Sequence, residues 1–425
     1  MRLIIPEDVS LVMNIFVRNN VEVFLAGEEI CNLILGREQH LYNLYTVASH
    51  DDVKKFLRKY TEINDELIIT CANNTYRIVH VDKLDDINSN CIFSIFSMIY
   101  SLQKGLVDKF NAMADIECHI IRCIGEYEKV FAISPVMILR SIVLCAKYGF
   151  TLDDGTKREI KRYAVFLRKL RGDVLLPELN EILLSNNPDY IKIMHETMLL
   201  RVIMPQLAAC FGEKQRNKYH IYDVGDHIMH TVKTVKADKV LRWAALLHDV
   251  GKSVTSSVDD NGVIHFYGHH KESKNIADSL LHKFRMDVES ISDILILIEN
   301  HDVRIEPNVI TVKKLMSKTG PELFLKLMDL QEADNKAKNP VYFPAKKAKI
   351  DAIRRVYYDV IKSNEPYMIS HLMITSKDIS KQGLKKGKMT SDILRMLLGE
   401  VIVNPKLNNR DYLIKKVRQY KNFGG

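Results

Sequence analysis

The apolar positions change period once along the chain, near Phe93. Before that point short apolar runs alternate with polar turns and short helical patterns. Val21-Glu-Val-Phe-Leu25 reads as a strand, and Gly27 then opens a helix that runs through Leu35 and closes at Gly36. Asn43-Leu-Tyr-Thr-Val47 reads as a second strand, and Asp51–Tyr60 as a helix capped by Ser49 or Asp51. Leu67–Cys71 and Tyr76–Val81 flank Asn73-Asn74, a hairpin signal. From Phe93 onward the period is helical almost throughout. Pro135 starts a helix that Gly149 ends, Pro177 and Pro188 bracket a short helical connector, and Asn339-Pro340 with Phe343-Pro344 marks a break. The pattern predicts an α+β multidomain chain, a small α/β head followed by an all-helical remainder.

Composition narrows the class. The chain has 425 residues, 47% hydrophobic and 27% charged, which suits several folded domains. Seven cysteines without a C-x-x-C pair predict reduced thiols and a cytoplasmic setting. The opening Met-Arg-Leu-Ile-Ile-Pro is too short an apolar run for a signal peptide. The uncharged stretch Ile87–Gln103 carries Ser and Asn and falls short of a spanning helix, so no membrane insertion is expected. The net charge of +8 is uneven: from Val341 onward 18 Lys and Arg stand against 7 Asp and Glu, whereas residues 1–340 are near neutral. A basic tail suits a polyanion, and equally a solvated helical surface.

The candidate chemistry lies in the third quarter. Nine of the fifteen histidines fall between His220 and His301. His227, the pair His248-Asp249, His269, His301 and Asp334 form a mixed imidazole–carboxylate set suited to one or two divalent ions (Mn, Ni, Co, Fe, Zn or Mg). His248 and Asp249 end the apolar run Ala244-Ala-Leu-Leu. Adjacent ligands can share an ion only where a helix ends, and Gly251 is expected to supply the backbone freedom through positive φ. Lys252 would face a phosphate. Mixed His/Asp ligation favours an open hydrolytic site over a closed structural one.

These residues carry a resemblance. Asp223-Val-Gly-Asp-His227, Leu241–Lys252 and His265-Phe-Tyr-Gly-His269 resemble the HD domain of bacterial tRNA nucleotidyltransferases, the CCA-adding enzyme and poly(A) polymerase family. The resemblance extends along the chain. Phe24–Arg37 resembles the nucleotidyltransferase head, Ile121–Gly125 and Ile138–Phe150 the neck, and Thr375–Gly387 the tRNA-gripping tail. It implies a head at 1–118, a helical neck at 119–185, an HD metal-dependent phosphohydrolase domain at 186–344 and a basic helical tail at 345–425. It implies that Lys385, Lys386 and Lys388 contact RNA.

The head departs from the family pattern. Leu41 and Asn43 stand where the family has two metal-binding aspartates, and Glu28, Cys31 and Asn32 replace the glycine and Arg-Asp of the phosphate turn. Asn90–Ser97 and Ile133–Met137 lack the charged groups of two further family motifs. A transfer reaction that needs two carboxylate-held ions is not supported by leucine and a neutral amide. The resemblance therefore implies a degenerate head and an intact HD site. Asp249 and Lys252 would be catalytic, acting on 2′,3′-cyclic or 2′-phosphates of nucleotides or of tRNA or other RNA ends. Residual CCA addition and non-catalytic RNA binding are the alternatives.

Overall fold

A computed structural model describes all residues except 1–2, 65, 84, 90, 216–218, 261, 385–386 and 424–425. The chain forms two compact units, Met1–Ile182 with Glu196–Val202, and Leu183–His195 with Ile203–Gly425. The α+β class expected from the sequence is the one observed.

The first unit is built on a seven-stranded mixed sheet in the order β3-β4-β5-β2-β1-β6-β7. The strands are β1 (Phe24–Ala26), β2 (Leu41–Thr46), β3 (Thr61–Ile63), β4 (Glu66–Cys71), β5 (Asn74–His80), β6 (Ile99–Ser101) and β7 (Gly105–Val107). Within this sheet, among the described residues, only β2 and β5 pair in parallel, with Asn43 opposite Arg77. The helix Glu7–Arg18 buries Val9, Val12, Met13 and Phe16, one stripe at three- and four-residue spacing. Gly27 sits at φ +81° between β1 and the helix Glu28–Ile34, a backbone state that only glycine adopts cheaply.

Three expectations need correction here. The hairpin β6–β7 lies inside the region read as all helical, because three-residue strands leave no period to detect. The helix expected over 51–60 is only His50–Lys54; Ser49 caps it, but the chain then turns into edge strand β3. Pro177 lies inside the helix Gly172–Leu184 and does not bound a connector. It removes a single backbone donor near the helix start, while Leu175, Leu179, Ile182 and Leu183 are buried along the same helix.

The second unit is helical. Its principal helices are α1 (Val224–Thr234), α2 (Lys239–Leu247), α3 (Lys252–Thr255), α4 (His269–Lys283), α5 (Val288–Asn300), α6 (Val309–Thr319), α7 (Pro321–Lys336), α8 (Phe343–Ser363), α9 (Lys388–Val403) and α10 (Arg410–Phe423). Asp223, Asp238, Asp287 and Asn308 cap α1, α2, α5 and α6 by accepting from backbone N–H groups. Trp243, Phe284 and Phe324 are fully buried around them. The predicted break before Ala345 falls within the first turn of α8, where Pro344 is tolerated because that position has no intrahelical partner to lose. The C-terminal helices close on their own cluster of Leu397, Val401, Leu413 and Val417. Among the described residues no single helix is long and apolar enough to cross a membrane.

Candidate metal centre

The six expected ligands converge within the second unit. His227 lies on α1, His248 directly follows α2, His269 opens α4, His301 directly follows α5, and Asp334 lies on α7. His227 and His248 are fully buried, and Asp249 is 2% exposed. Asp249 Oδ2 stands 3.4 Å from Nε2 of both His227 and His248, while its Oδ1 stands 3.3 and 3.5 Å from Nε2 of His269 and His301. Asp334 Oδ1 lies 3.0 Å from His227 Nε2 and 3.7 Å from His248 Nε2. The six form two ligand sets, His227–His248–Asp249–Asp334 and Asp249–His269–His301, which share the one carboxylate, and His269 also lies with His270 and Asp302 in a third group. Asp249 would thus contribute to either ion.

The rings are held for ligation. Nδ1 of His227, His248, His269 and His301 lies 2.7–3.1 Å from the carbonyl oxygen of Ala337, Ala245, Phe266 and Ile298 respectively. An Nδ1–H donated to a carbonyl fixes the tautomer and leaves the Nε2 lone pair facing the shared point. Nε2 of His227 and His248, together with Asp249 Oδ1, are buried polar atoms without a hydrogen-bond partner. Unpaired polar atoms cost about 1–3 kcal/mol each when nothing satisfies them. Two of these orphans belong to the first ligand set and Asp249 Oδ1 faces the second, and each set fits a cation.

Electrostatics agree. Burial raises the Asp249 carboxyl, but Lys252 and His248 outweigh it and hold the group well below the usual carboxylate range. Asp334 behaves likewise, with Lys338 and His227 overcoming burial. Burial lowers His248, yet Asp249 and Asp334 lift it to about 9, so an ion binding at its Nε2 displaces a proton. These carboxylates thus stay ionised and attract positive charge. Burial pulls His301 downward, which keeps that imidazole neutral and able to ligate.

Two sequence expectations change in meaning. Gly251 has φ −66° and ψ −18°, ordinary helical backbone, so conformational freedom is not its role. A Cβ there would lie 2.5 Å from His269 O and from Ser273 N, so glycine is required for the close approach of α4. Lys252 is 6% exposed and donates to Asp249 Oδ2 at 2.7 Å and to Gln215 Oε1 at 3.0 Å. It holds Asp249 in place and lines the cavity from within an ion pair. Lys338, four residues after Asp334, donates to Asp334 Oδ2 at 2.6 Å. Sequence reading passed over it, although the (i, i+4) spacing was visible.

A cavity of about 640 Å³ opens over the centre, lined by Asp249, Lys252, His269, His301, Asp334 and Lys338 and widening toward Tyr219, Arg304, Tyr342 and Lys346. That is large enough for a nucleotide-sized ligand. Of the lysines expected to contact RNA, Lys385 and Lys386 lie outside the described residues, and Lys388 is exposed at the start of α9.

The head presents different chemistry. The Leu41 side chain is 50% exposed at the start of β2. Asn43 donates from its side-chain amide to Glu29 Oε1, and Arg77 Nε donates to Asn43 Oδ1 at 2.8 Å. Glu28 pairs with Lys147 and Tyr148. Burial raises the Glu29 carboxyl, which weakens its claim as an anionic ligand. Among the described residues no group of three or more His, Cys, Asp and Glu ligands forms in the head.

Comparison with known proteins matches these observations to families. The HD domain model matches residues 218–338, and the model described as the probable RNA and SrmB-binding site of polymerase A matches 149–211. The multifunctional CCA protein of Thioalkalivibrio sulfidiphilus is 29% identical over 195 residues, 43% of this chain and 46% of that protein. The multifunctional CCA protein of Neisseria gonorrhoeae is 33% identical over 173 residues, 38% of this chain and 40% of that one. The matched stretch thus spans less than half the length of these curated relatives. The fold extends further. The CCA-adding enzyme of Bacillus stearothermophilus in complex with CTP superposes with a TM-score of 0.67 at 16% identity over 99% of both chains. That of Thermotoga maritima complexed with tRNA gives 0.54 at 15% identity, over 99% of this chain and 97% of the other. The resemblance stated from the sequence therefore holds for the HD region and for the fold.

Proposed function

We propose that this chain, which carries an HD domain on the fold of the CCA-adding enzymes, is a metal-dependent phosphohydrolase acting on the phosphate esters of nucleotides or RNA ends. One observation supports the reading above the rest: Asp249 faces two sets of tautomer-fixed imidazoles with its two oxygens, beneath an open cavity. His227, His248, Asp249 and Asp334 would hold one divalent ion, and His269 and His301 with Asp249 a second. When bound, such ions supply Lewis acidity to a phosphoryl group and acidify water.

The chain's own groups do the positioning. Lys252 and Lys338 keep Asp249 and Asp334 ionised and oriented, and Lys338 lines the cavity in which an ester would lie. Hydrolysis forms one P–O bond to water and breaks one to the ribose oxygen, which takes up the proton. The residues expected as catalytic, Asp249 and Lys252, thus act as the shared ligand and as the cation that orients it.

A second reading has specific support, and by likeness alone the comparisons favour it: nucleotidyl transfer to tRNA. The relatives are named as CCA proteins, solved structures of the same fold include CCA-adding enzymes, and an RNA-binding model matches 149–211. Against it stands the composition of this head, where Leu41 and Asn43 offer no carboxylate and Glu29 is tied to Asn43. The deciding experiment gives the full chain manganese, nickel or cobalt. Phosphate release from tRNA ending in a 2′-phosphate, and ring opening of a terminal 2′,3′-cyclic phosphate, are then measured beside CTP and ATP incorporation. The hydrolase reading expects release, abolished in Asp249→Ala, without incorporation. Incorporation without release would establish the second reading.

A further inference from the structure

The charges around the cavity do not balance pairwise. Lys252, Lys338 and Lys349 are each matched by a carboxylate, namely Asp249, Asp334 and Glu306. Arg304 and Lys346 line the same cavity, are exposed, and make no ion pair among the described residues. The neighbouring Asp302 lies toward the histidines, with an oxygen 4.0 Å from His269 Nε2 and 3.8 Å from His270 Nδ1. The outer wall therefore carries two uncompensated cations beyond those that hold the metal ligands.

The same wall carries an aromatic platform. The rings of Tyr219 and Tyr342 lie 5.0 Å apart at a tilt of 53°, and Tyr219 is 47% exposed. The backbone is tied beneath them, since Asn339 N donates to Tyr219 O at 2.8 Å. An anchored, half-open tyrosine pair offers a π-face to any base, and base–aromatic stacking is sequence-tolerant.

Resting on the hydrolase reading, we propose that the cavity selects a nucleotide with two separate phosphates. The reacting ester lies over Asp249, His269 and His301, the second phosphate lies on Arg304 and Lys346, and the base stacks on Tyr219 and Tyr342. The 3′-terminal nucleotide of an RNA and a free nucleotide with a 5′-phosphate share this chemistry.

The manganese-loaded full chain is assayed on four substrates. These are adenosine 2′,3′-cyclic phosphate with and without a 5′-phosphate, a short RNA ending in a 2′,3′-cyclic phosphate, and the base-free, non-aromatic ester glycerol 1,2-cyclic phosphate. In the Arg304→Ala/Lys346→Ala variant kcat/KM falls roughly a hundredfold on the 5′-phosphorylated nucleotide and on RNA, given two lost charge-assisted contacts. It stays within about twofold on the substrate lacking the 5′-phosphate. Tyr342→Ala loses roughly tenfold on every nucleotide and nothing on the base-free ester. RNA turned over faster than the free nucleotide identifies the source as an RNA end, and the reverse order a free nucleotide. Equal losses on all four substrates, or none, overturn the clamp while leaving the hydrolase reading standing. Should no substrate turn over, equilibrium dialysis of adenosine 3′,5′-bisphosphate still decides. Saturable binding weakened by both variants supports the clamp without hydrolysis, and absence of binding overturns it.

Discussion

Replacing Gly251 by alanine tests whether the centre depends on the close approach of α3 to α4. The added Cβ would lie 2.5 Å from His269 O and Ser273 N and 2.9 Å from Ser273 Oγ, where ordinary contact begins near 3.4 Å. Two of the three atoms are backbone, so no rotamer change relieves the clash and the helices must part by roughly 1 Å. Overpacking of this kind costs about 1–3 kcal/mol. In a unit of this size that lowers Tm by roughly 2–4 °C per kcal/mol. The same displacement carries His269 away from Asp249 Oδ1, now 3.3 Å distant. Misplacing one ligand should weaken the second ion about 10–100-fold, as loss of a supporting partner does. Calorimetric titration with manganese and thermal unfolding measure both effects. Gly399→Ala serves as the control, because its Cβ meets nothing within 4 Å inside helix α9. A Gly251→Ala protein with unchanged Tm and unchanged metal affinity would refute the reasoning.

Further outcomes follow from the same geometry. Metal analysis after dialysis should find two ions per chain in the native protein, one in His301→Ala, and none in Asp249→Ala, because only Asp249 belongs to both ligand sets. Lys313 is fully buried and pairs with Glu365, whose side chain is 42% exposed. Glu365→Leu strands a buried ammonium and should cost about 3–5 kcal/mol, whereas Lys313→Met leaves a carboxylate that water can reach and should cost under about 1 kcal/mol. Urea unfolding ranks the two, and equal losses contradict the burial argument. Asp378 closes a capping box with Thr375 and pairs with Arg410, and the backbone N–H of Thr375 and the Arg410 guanidinium hold its carboxyl down at about 2. A depressed folded pKa contributes stability above the unfolded value near 3.8 and loses it as pH falls toward 2. The stability gap between the native protein and Asp378→Ala should therefore be constant above about pH 5 and shrink below pH 4.

Much of the centre was legible because its ligands sit at helix ends, where residue type is little constrained by helical propensity. An apolar run that stops at His248-Asp249 can be read without coordinates. The role of Gly251 could not, since the atoms it must avoid belong to His269 and Ser273, eighteen and twenty-two residues further on. Lys252 was read as a phosphate contact, but the sequence does not show that Asp249 and Gln215 enclose it. The head strands β2, β4 and β5 were legible from alternation, whereas β6 and β7, three residues each, hold less than two full periods. Arg304, Lys346 and Tyr342 carry no motif; only the shared cavity joins them. By likeness to known proteins, the runner-up drawn from the sequence, nucleotidyl transfer, is better supported than the hydrolase reading, which rests on this chain's own side chains.

The direct measurement is metal-dependent phosphate release from tRNA ending in a 2′-phosphate, run with the native chain and Asp249→Ala and beside CTP and ATP incorporation into tRNA with a free 3′-hydroxyl in the same preparation. The account predicts release with manganese, nickel or cobalt, its loss in the variant, and no incorporated nucleotide. Incorporation that persists in Asp249→Ala, with no phosphate released by either protein, would contradict it.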